Sequence, residues 1–137
     1  MTTIAGSWAE RRIVADTKSS DGDVKWSASK IERINGSVYG CAGHCPDIEK
    51  FLRWRRGQGR KPRLSGEFRS IELNSAGLWL WDNGLAPFHP GCDFVAIGSG
   101  AKAAFAANKM GADAQRAVEV ACEVDDASEL PIQVETL

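Results

Sequence analysis

The sequence has no apolar run long enough to cross a bilayer as a helix. It also lacks the positively charged start followed by an apolar segment that marks a secretory leader. Its net charge of −1 does not favour a nucleic-acid-binding protein or one held on a membrane surface. We therefore expect a cytoplasmic protein that binds neither a membrane nor nucleic acid.

Internal repeats, low-complexity segments and C-x-x-C pairs are also missing. The four cysteines are Cys41, Cys45, Cys92 and Cys122. In a cytoplasmic protein, cysteines without a paired spacing are expected to be reduced and mostly buried. The 137 residues, of which 43% are hydrophobic, have the size of one ordinary globular unit with a single core. We expect a single domain over residues 1–137.

Hydrophobic alternation predicts a chain rich in short strands. The Asn35-Gly36 pair is a strong hairpin signal, whereas residues 17–22, rich in Ser, Asp and Gly, predict a loop. Residues 78–81 alternate Leu and Trp, which favours a strand buried on both faces. The predicted strands are residues 2–6, 11–16, 24–26, 30–34, 37–43, 68–73, 78–82, 93–97 and 131–137.

Residues 46–57, 101–110 and 112–124 have the spacing of apolar residues that predicts helices. The first has acidic residues in its first turn and arginines near its end, as the helix dipole favours. The other two are rich in small side chains, which permit close packing. The order of strands, a helix, strands, two helices and a final strand is typical of an α+β layered fold.

Thr2 is a candidate nucleophile. If Met1 is removed, which a small second residue permits, the Thr2 hydroxyl lies on the same residue as a free α-amine. A hydroxyl needs an adjacent base to attack at neutral pH, and an α-amine, with an ordinary pKa of about 7.7–8.0, can be that base. The alternative is that the two threonines simply begin an edge strand.

Asp16 and Lys30 are candidate partners of Thr2. A nearby cation lowers the pKa of the amine, because it disfavours the protonated form, and an anion can hold that cation in place. Asp16 ends one predicted strand and Lys30 begins another, so the two charges can meet beside Thr2. The alternative is an ordinary surface ion pair or two solvated charges.

Six short segments, in order along nearly the whole chain, resemble a known family. They are Thr2-Thr3-Ile4, Val14-Ala15-Asp16, Lys30-Ile31, Ala42-Gly43-His44-Cys45-Pro46-Asp47, Ala96-Ile97-Gly98-Ser99-Gly100-Ala101 and Asp125-Asp126-Ala127-Ser128. The chain is similar to proteasome β-subunits and related bacterial proteasome-like proteases, which are N-terminal nucleophile hydrolases. It departs from their pattern at Glu129 and Leu130, where the family usually has glycines.

The resemblance implies a fold and a set of roles. The implied fold is a four-layer αββα sandwich, with two antiparallel sheets between helical layers. Thr2 would be nucleophile and base, Lys30 would tune the amine, and Asp16 would orient Lys30. The other implied roles are an oxyanion donor at Gly43, proton transfer and support by Ser99, Asp125 and Ser128, and substrate contacts at Ser20 and Cys45.

The resemblance also implies an activity and partners. The activity is threonine-type endopeptidase hydrolysis of unfolded polypeptides or peptides, without a metal or organic cofactor. The subunits would assemble into homo-oligomeric rings that can stack, and an ATP-dependent unfoldase would be a partner. The main alternative is a catalytically inactive relative that retains only the assembly role.

Two other functions compete with this interpretation. Cys41-x-x-His44 and His89-x-x-Cys92 supply four nitrogen and sulfur ligands, which would suit tetrahedral zinc. The basic residues of 53–56 and 60–63, with one tryptophan among them, would suit contact with nucleic acid. Packing roles and a solvated helix face are the simpler explanations of these patterns.

Overall fold

Two four-stranded antiparallel sheets form the centre of the computed structural model, which describes residues 2–21 and 23–137. The strands are β1 Thr3–Ser7, β2 Arg12–Asp16, β3 Lys18–Asp21, β4 Val24–Ser27, β5 Ile31–Ile34, β6 Ser37–Gly43, β7 Phe68–Asn74, β8 Gly77–Trp81, β9 Phe94–Gly98 and β10 Ile132–Thr136. The helices are α1 Cys45–Arg55, α2 Ala101–Lys109 and α3 Ala114–Val124. The first sheet has the order β10-β2-β1-β9 and the second the order β5-β6-β7-β8.

The main core lies between the two sheets. Ile4 and Ile13 of the first sheet pack against Val38, Ile71 and Leu73 of the second, and all five are fully shielded from solvent. Side chains alternate between the two faces of a strand. Every residue of β1 is nevertheless buried, so the outer face of the first sheet must also be covered.

Helices α2 and α3 cover that outer face. Ala104, Ala117 and Ala121 pack against Ala5 and Val14 of the first sheet, and all are completely buried. Small side chains let the helix backbones approach the sheet closely, as the alanine-rich sequence predicts.

Helix α1 covers the outer face of the second sheet. Its Phe51 ring contacts the rings of Tyr39, Phe68 and Trp81, with centroids between 4.7 and 5.7 Å away. Helix, sheet, sheet and helix form four layers, and the predicted αββα sandwich is confirmed.

The expectation that most cysteines are buried is wrong, since Cys45 and Cys92 are exposed and Cys122 is half-buried. The predicted strands and helices form with one clear exception. Residues 18–21 of the predicted loop form β3, which pairs with β4 in a separate two-stranded sheet. Their Ser and Asp content favours a turn locally, but main-chain hydrogen bonds to β4 make a strand. The other predicted elements form with ends displaced by no more than two residues. Gly22 of the predicted loop and Met1, whose removal is predicted, lie outside the described residues.

None of the helices in the described parts of the chain has the length and apolar character needed to cross a membrane.

Candidate active site

Thr2 lies immediately before β1, on the wall of a cavity of about 890 Å³. The residue is only 8% exposed. Lys30, Gly43, Cys45 and Ser20 line the same cavity, so it brings together the predicted nucleophile, its cation, the oxyanion donor and both substrate-contact residues.

Lys30 connects Thr2 to Asp16. Its Nζ donates a hydrogen bond to Thr2 Oγ1 at 2.7 Å and another to Asp16 Oδ1 at 2.8 Å. The Asp16 side chain is 0% exposed and the Lys30 side chain 9%. The predicted charge pair is therefore a shielded pair beside the Thr2 hydroxyl, not a surface ion pair.

The Asp16 carboxylate is also held by backbone groups. Oδ1 accepts a hydrogen bond from the Thr3 amide at 2.9 Å. Oδ2 accepts from the amides of Lys18 at 3.1 Å and Glu129 at 3.2 Å. These donors offset the cost of burying the charge and fix the direction in which the carboxylate faces Lys30.

The pKa of Lys30 is lowered from its ordinary value, because burial disfavours the charged ammonium. The hydrogen bond and the charge of Asp16 oppose this effect. Burial and the carboxylate thus act in opposite directions on the one cation that touches the Thr2 hydroxyl in the described residues.

A second network of hydrogen bonds lies on the other side of Thr2. Asp125 Oδ2 accepts from Ser99 Oγ at 2.7 Å and from Ser128 Oγ at 2.6 Å. The Ser128 proton is used in that bond, so the Thr3 hydroxyl must donate to Ser128 Oγ, at 2.7 Å. Ser99 Oγ also lies 3.4 Å from the Thr2 carbonyl oxygen.

These hydrogen bonds keep the Asp125 carboxylate ionised. Burial tends to raise its pKa, but the bonds from Ser128 and Ser99 outweigh that effect, and the pKa is lowered. Ser128 reaches Thr3 and not the Thr2 hydroxyl in this arrangement. The network therefore supports the start of β1 through the residue next to Thr2.

The turn between β9 and α2 requires glycine where it meets Thr2. Gly98 has a φ of +95°, and a Cβ there would lie 1.9 Å from the Thr2 carbonyl oxygen. Only a residue without a side chain allows the backbone to pass so close. This contact places Ser99 beside Thr2.

Gly43 ends β6 directly before α1. Its φ of +122° and the 2.1 Å between an added Cβ and the Glu67 carbonyl oxygen exclude other residues. The glycine thus turns the chain from strand to helix at the wall of the Thr2 cavity. Cys45 follows as the first residue of α1, with its side chain exposed.

The departure at Glu129 leaves the Asp16 contact intact. A glycine would offer only its amide, and the Glu129 amide makes the same kind of bond to Asp16. The Glu129 carboxylate instead points away to Lys25 at 2.8 Å. The substitution therefore adds a surface ion pair without removing a donor from the site.

Comparisons with known proteins agree with this geometry. No protein-family model and no curated protein matches the sequence. Among solved structures, eukaryotic HslV from Trypanosoma brucei is similar, with 26% identity, a TM-score of 0.74 and 98% of each chain covered. The predicted resemblance to proteasome-related N-terminal nucleophile hydrolases is confirmed.

The BPH protein of Thiobacillus denitrificans is similar in fold. Its complex with epoxomicin has 20% identity and a TM-score of 0.74, covering 99% of this chain and 98% of the other. A second structure of the same protein has 19% identity and a TM-score of 0.69, covering 99% of this chain and 96% of the other. The likeness extends over nearly the whole chain, and not only over the site.

The four proposed zinc ligands have other partners. Cys41 is buried, donates to Ser70 Oγ at 3.3 Å, and burial raises its pKa to about 12. His44 bonds to Asp47, His89 packs edge-on against Trp79, and Cys92 Sγ donates to the Phe94 carbonyl oxygen at 3.3 Å. Among residues 2–21 and 23–137, no group of three or more His, Cys, Asp or Glu side chains is placed to hold a metal ion. The alternative zinc site is not assembled.

Two residues important to the site were not predicted from the sequence. The sequence predicts Thr3 only as part of a strand, yet it joins Asp16 to Ser128. For Asp47 the sequence predicts only a favourable charge in the first turn of α1. It is fully buried and accepts from the Gly66 amide at 2.6 Å and the Ser65 amide at 3.2 Å, which fixes the segment before β7 to α1. The one sequence signal for both residues is that each lies inside one of the six segments that resemble the family.

Proposed function

We propose that this protein is a threonine endopeptidase of the proteasome type, with Thr2 as its nucleophile after Met1 has been removed. The observation that carries the proposal is the position of Lys30, whose Nζ lies 2.7 Å from Thr2 Oγ1 and 2.8 Å from Asp16 Oδ1. A buried cation at this point supplies what a lone N-terminal threonine lacks, which is a lowered amine pKa.

The amine acts as the base in both halves of the reaction. It takes the Oγ proton as Oγ bonds to the substrate carbonyl carbon. The tetrahedral intermediate collapses, the C–N bond breaks, and the proton leaves with the new amine. Water then gives a proton to the amine as it attacks the ester, and that proton returns to Oγ when the C–O bond breaks.

Gly43 and the Asp125 network support these steps. A backbone N–H at Gly43 would stabilise the negative charge that forms on the carbonyl oxygen. Ser99, held by Asp125, lies beside the Thr2 backbone and would assist proton transfer at the amine. Ser128 and Asp16 fix Thr3, and so limit the freedom of the neighbouring nucleophile.

The substrate is an unfolded polypeptide or peptide. An extended segment would pair with the strand that contains Ser20, and the side chain before the cleaved bond would enter the cavity past Cys45, since both residues line it. By analogy with the HslV-like fold, the subunits would form homo-oligomeric rings that can stack, in the cytoplasm, and work with an ATP-dependent unfoldase.

The test combines intact mass with covalent labelling. The protein isolated from its native host should have lost Met1. It should then react once with a peptidyl epoxyketone, which needs a hydroxyl and a free amine on the same residue. Thr2→Ala should abolish the reaction, whereas Thr136→Ala, an exposed threonine distant in sequence, should leave it unchanged.

Two outcomes would contradict the proposal. A protein that lacks Met1 and still does not react is not a threonine peptidase. Complete retention of Met1 in the native host would leave an amide where the base must be, and would favour the catalytically inactive assembly protein. Native mass measurement of the assembled protein tests the ring separately.

A further inference from the structure

Two of the carboxylates that line the Thr2 cavity are already bound to an arginine. Glu32 of β5 and Glu49 of α1 both line the cavity. Arg56, the residue directly after α1, binds Glu32 through Nη2, and its Nη1 lies 3.7 Å from Glu49 Oε1. The pKa of Arg56 is raised, first through the hydrogen bond to Glu32, and the arginine is shared between the two carboxylates.

Three cationic side chains, Lys18, Lys30 and Arg69, and a third carboxylate, Glu67, also line the cavity. Lys30 binds Asp16. Lys18 donates to the Asp126 carbonyl oxygen at 2.6 Å and lies 3.8 Å from Glu129. No other arginine or lysine of the described residues forms an ion pair with Glu32 or Glu49, so their neutralisation rests on Arg56.

The lining next to Glu32 and Glu49 includes apolar side chains. Ile31, Ile48 and Leu52 contribute aliphatic side chains, and Cys41 stays a neutral thiol because burial raises its pKa to about 12. On this part of the wall, a side chain that enters from Thr2 therefore meets aliphatic groups and two carboxylates that are already paired with Arg56.

We infer that Arg56 sets the specificity of this site: by binding Glu32 and Glu49 it neutralises the two carboxylates beside the aliphatic lining, so the enzyme cleaves after large apolar residues and not after basic ones. The inference rests on the proposed peptidase function. Arg56 does not line the cavity and acts through the two glutamates, so it is a positioning residue. Without it, two carboxylates would be open to a lysine or arginine in the residue before the cleaved bond, the P1 position.

The test measures kcat/KM for two peptides that differ only at P1, with Leu or Arg. The wild type should favour Leu. Arg56→Gln should raise the ratio of Arg to Leu cleavage by about tenfold or more, the effect of one hydrogen bond to a charged group. Adding Glu32→Gln to Arg56→Gln should return the ratio most of the way to that of the wild type.

Arg53→Gln is the matched control, because Arg53 is exposed in the last turn of the same helix and does not line the cavity. It removes the same charge and should leave the ratio unchanged. If Arg56→Gln does not fold, the pair Glu32→Gln and Glu49→Gln tests the same idea in reverse. The freed Arg56 should then raise cleavage after P1 Glu relative to P1 Leu.

The outcomes separate this inference from the proposed function. A wild type that cleaves neither peptide and does not react with the epoxyketone is no peptidase, and the proposed function is wrong. A wild type that cleaves the Leu peptide, with a ratio that neither set of variants shifts, overturns the role of Arg56 alone. An equal shift in Arg53→Gln would also overturn it, because the effect would then be one of general charge.

Discussion

Replacing Asp16 by asparagine changes one atom of a fully buried carboxylate that accepts four hydrogen bonds. The asparagine amide has one oxygen, so its NH₂ group must face two of the four donors. If the NH₂ group takes the place of Oδ1, it faces the Lys30 ammonium and the Thr3 amide. If it takes the place of Oδ2, the amides of Lys18 and Glu129 lose their acceptor. Either orientation leaves the buried Lys30 without a negative partner.

The expected loss in the free energy of unfolding is about 3–5 kcal/mol, the cost of removing one partner from a buried ion pair. Two amides without acceptors, at about 1–3 kcal/mol each, give a cost of the same size. Asp126→Asn, at an exposed position nearby, should change the stability by no more than about 0.5 kcal/mol.

The loss should depend on pH with a definite sign. The pKa of Lys30 is already lowered in the folded protein. Asp16→Asn removes the hydrogen bond to a carboxylate and the negative charge by which Asp16 raises this pKa, so it falls further below the unfolded value of 10.5. The pH range over which the unfolded chain binds more protons than the folded chain is therefore wider in the variant. The deficit relative to the wild type should therefore shrink as pH rises from about 7 to about 10.

Urea unfolding of Asp16→Asn, Lys30→Met and the double variant measures the energy of the pair. Lys30→Met leaves the carboxylate with three amide donors and should cost less than Asp16→Asn. The double variant should be more stable than the sum of the single losses predicts, by about 0.5–3 kcal/mol. Additive losses, or an Asp16→Asn loss below about 1 kcal/mol that is constant with pH, would refute the argument.

Two further variants test the surroundings of Thr2. Gly98→Ala should lower the free energy of unfolding by more than about 3 kcal/mol, because strain at positive φ adds to a 1.9 Å clash with a backbone oxygen. Gly57→Ala, with a φ of +81° and open space, should show only the strain of about 1 kcal/mol; equal losses in urea unfolding would disprove the clash. Because the pKa of Asp125 is lowered, its contribution to stability is present above 3.8, the ordinary value, and is lost as pH falls through the folded pKa. Ser128→Ala should therefore flatten the fall in stability below that pH, and an unchanged slope would contradict the role of this hydrogen bond.

Most of the fold was predictable because its signals are local. Asn35-Gly36 marks a hairpin, and the two residues do join β5 to β6 with positive φ at both positions. Helix spacing and glycines gave the helices to within two residues. The loop prediction for residues 17–22 failed because β3 depends on pairing with β4, which composition does not encode.

The sequence by itself determined which residue types are available for chemistry near Thr2, and the resemblance of six motifs named Asp16, Lys30, Gly43 and Ser99. The sequence did not determine which of these residues contact each other in the folded chain. The bond between Thr3 and Ser128 joins residues 125 positions apart, and it exists only because β1 and the segment after α3 meet in the folded chain. Arg56 is an unremarkable surface cation in the sequence. Only the packing of α1 against the sheet that contains β5 brings it to Glu32, since a contact across two elements is fixed by three-dimensional packing and not by spacing along the chain.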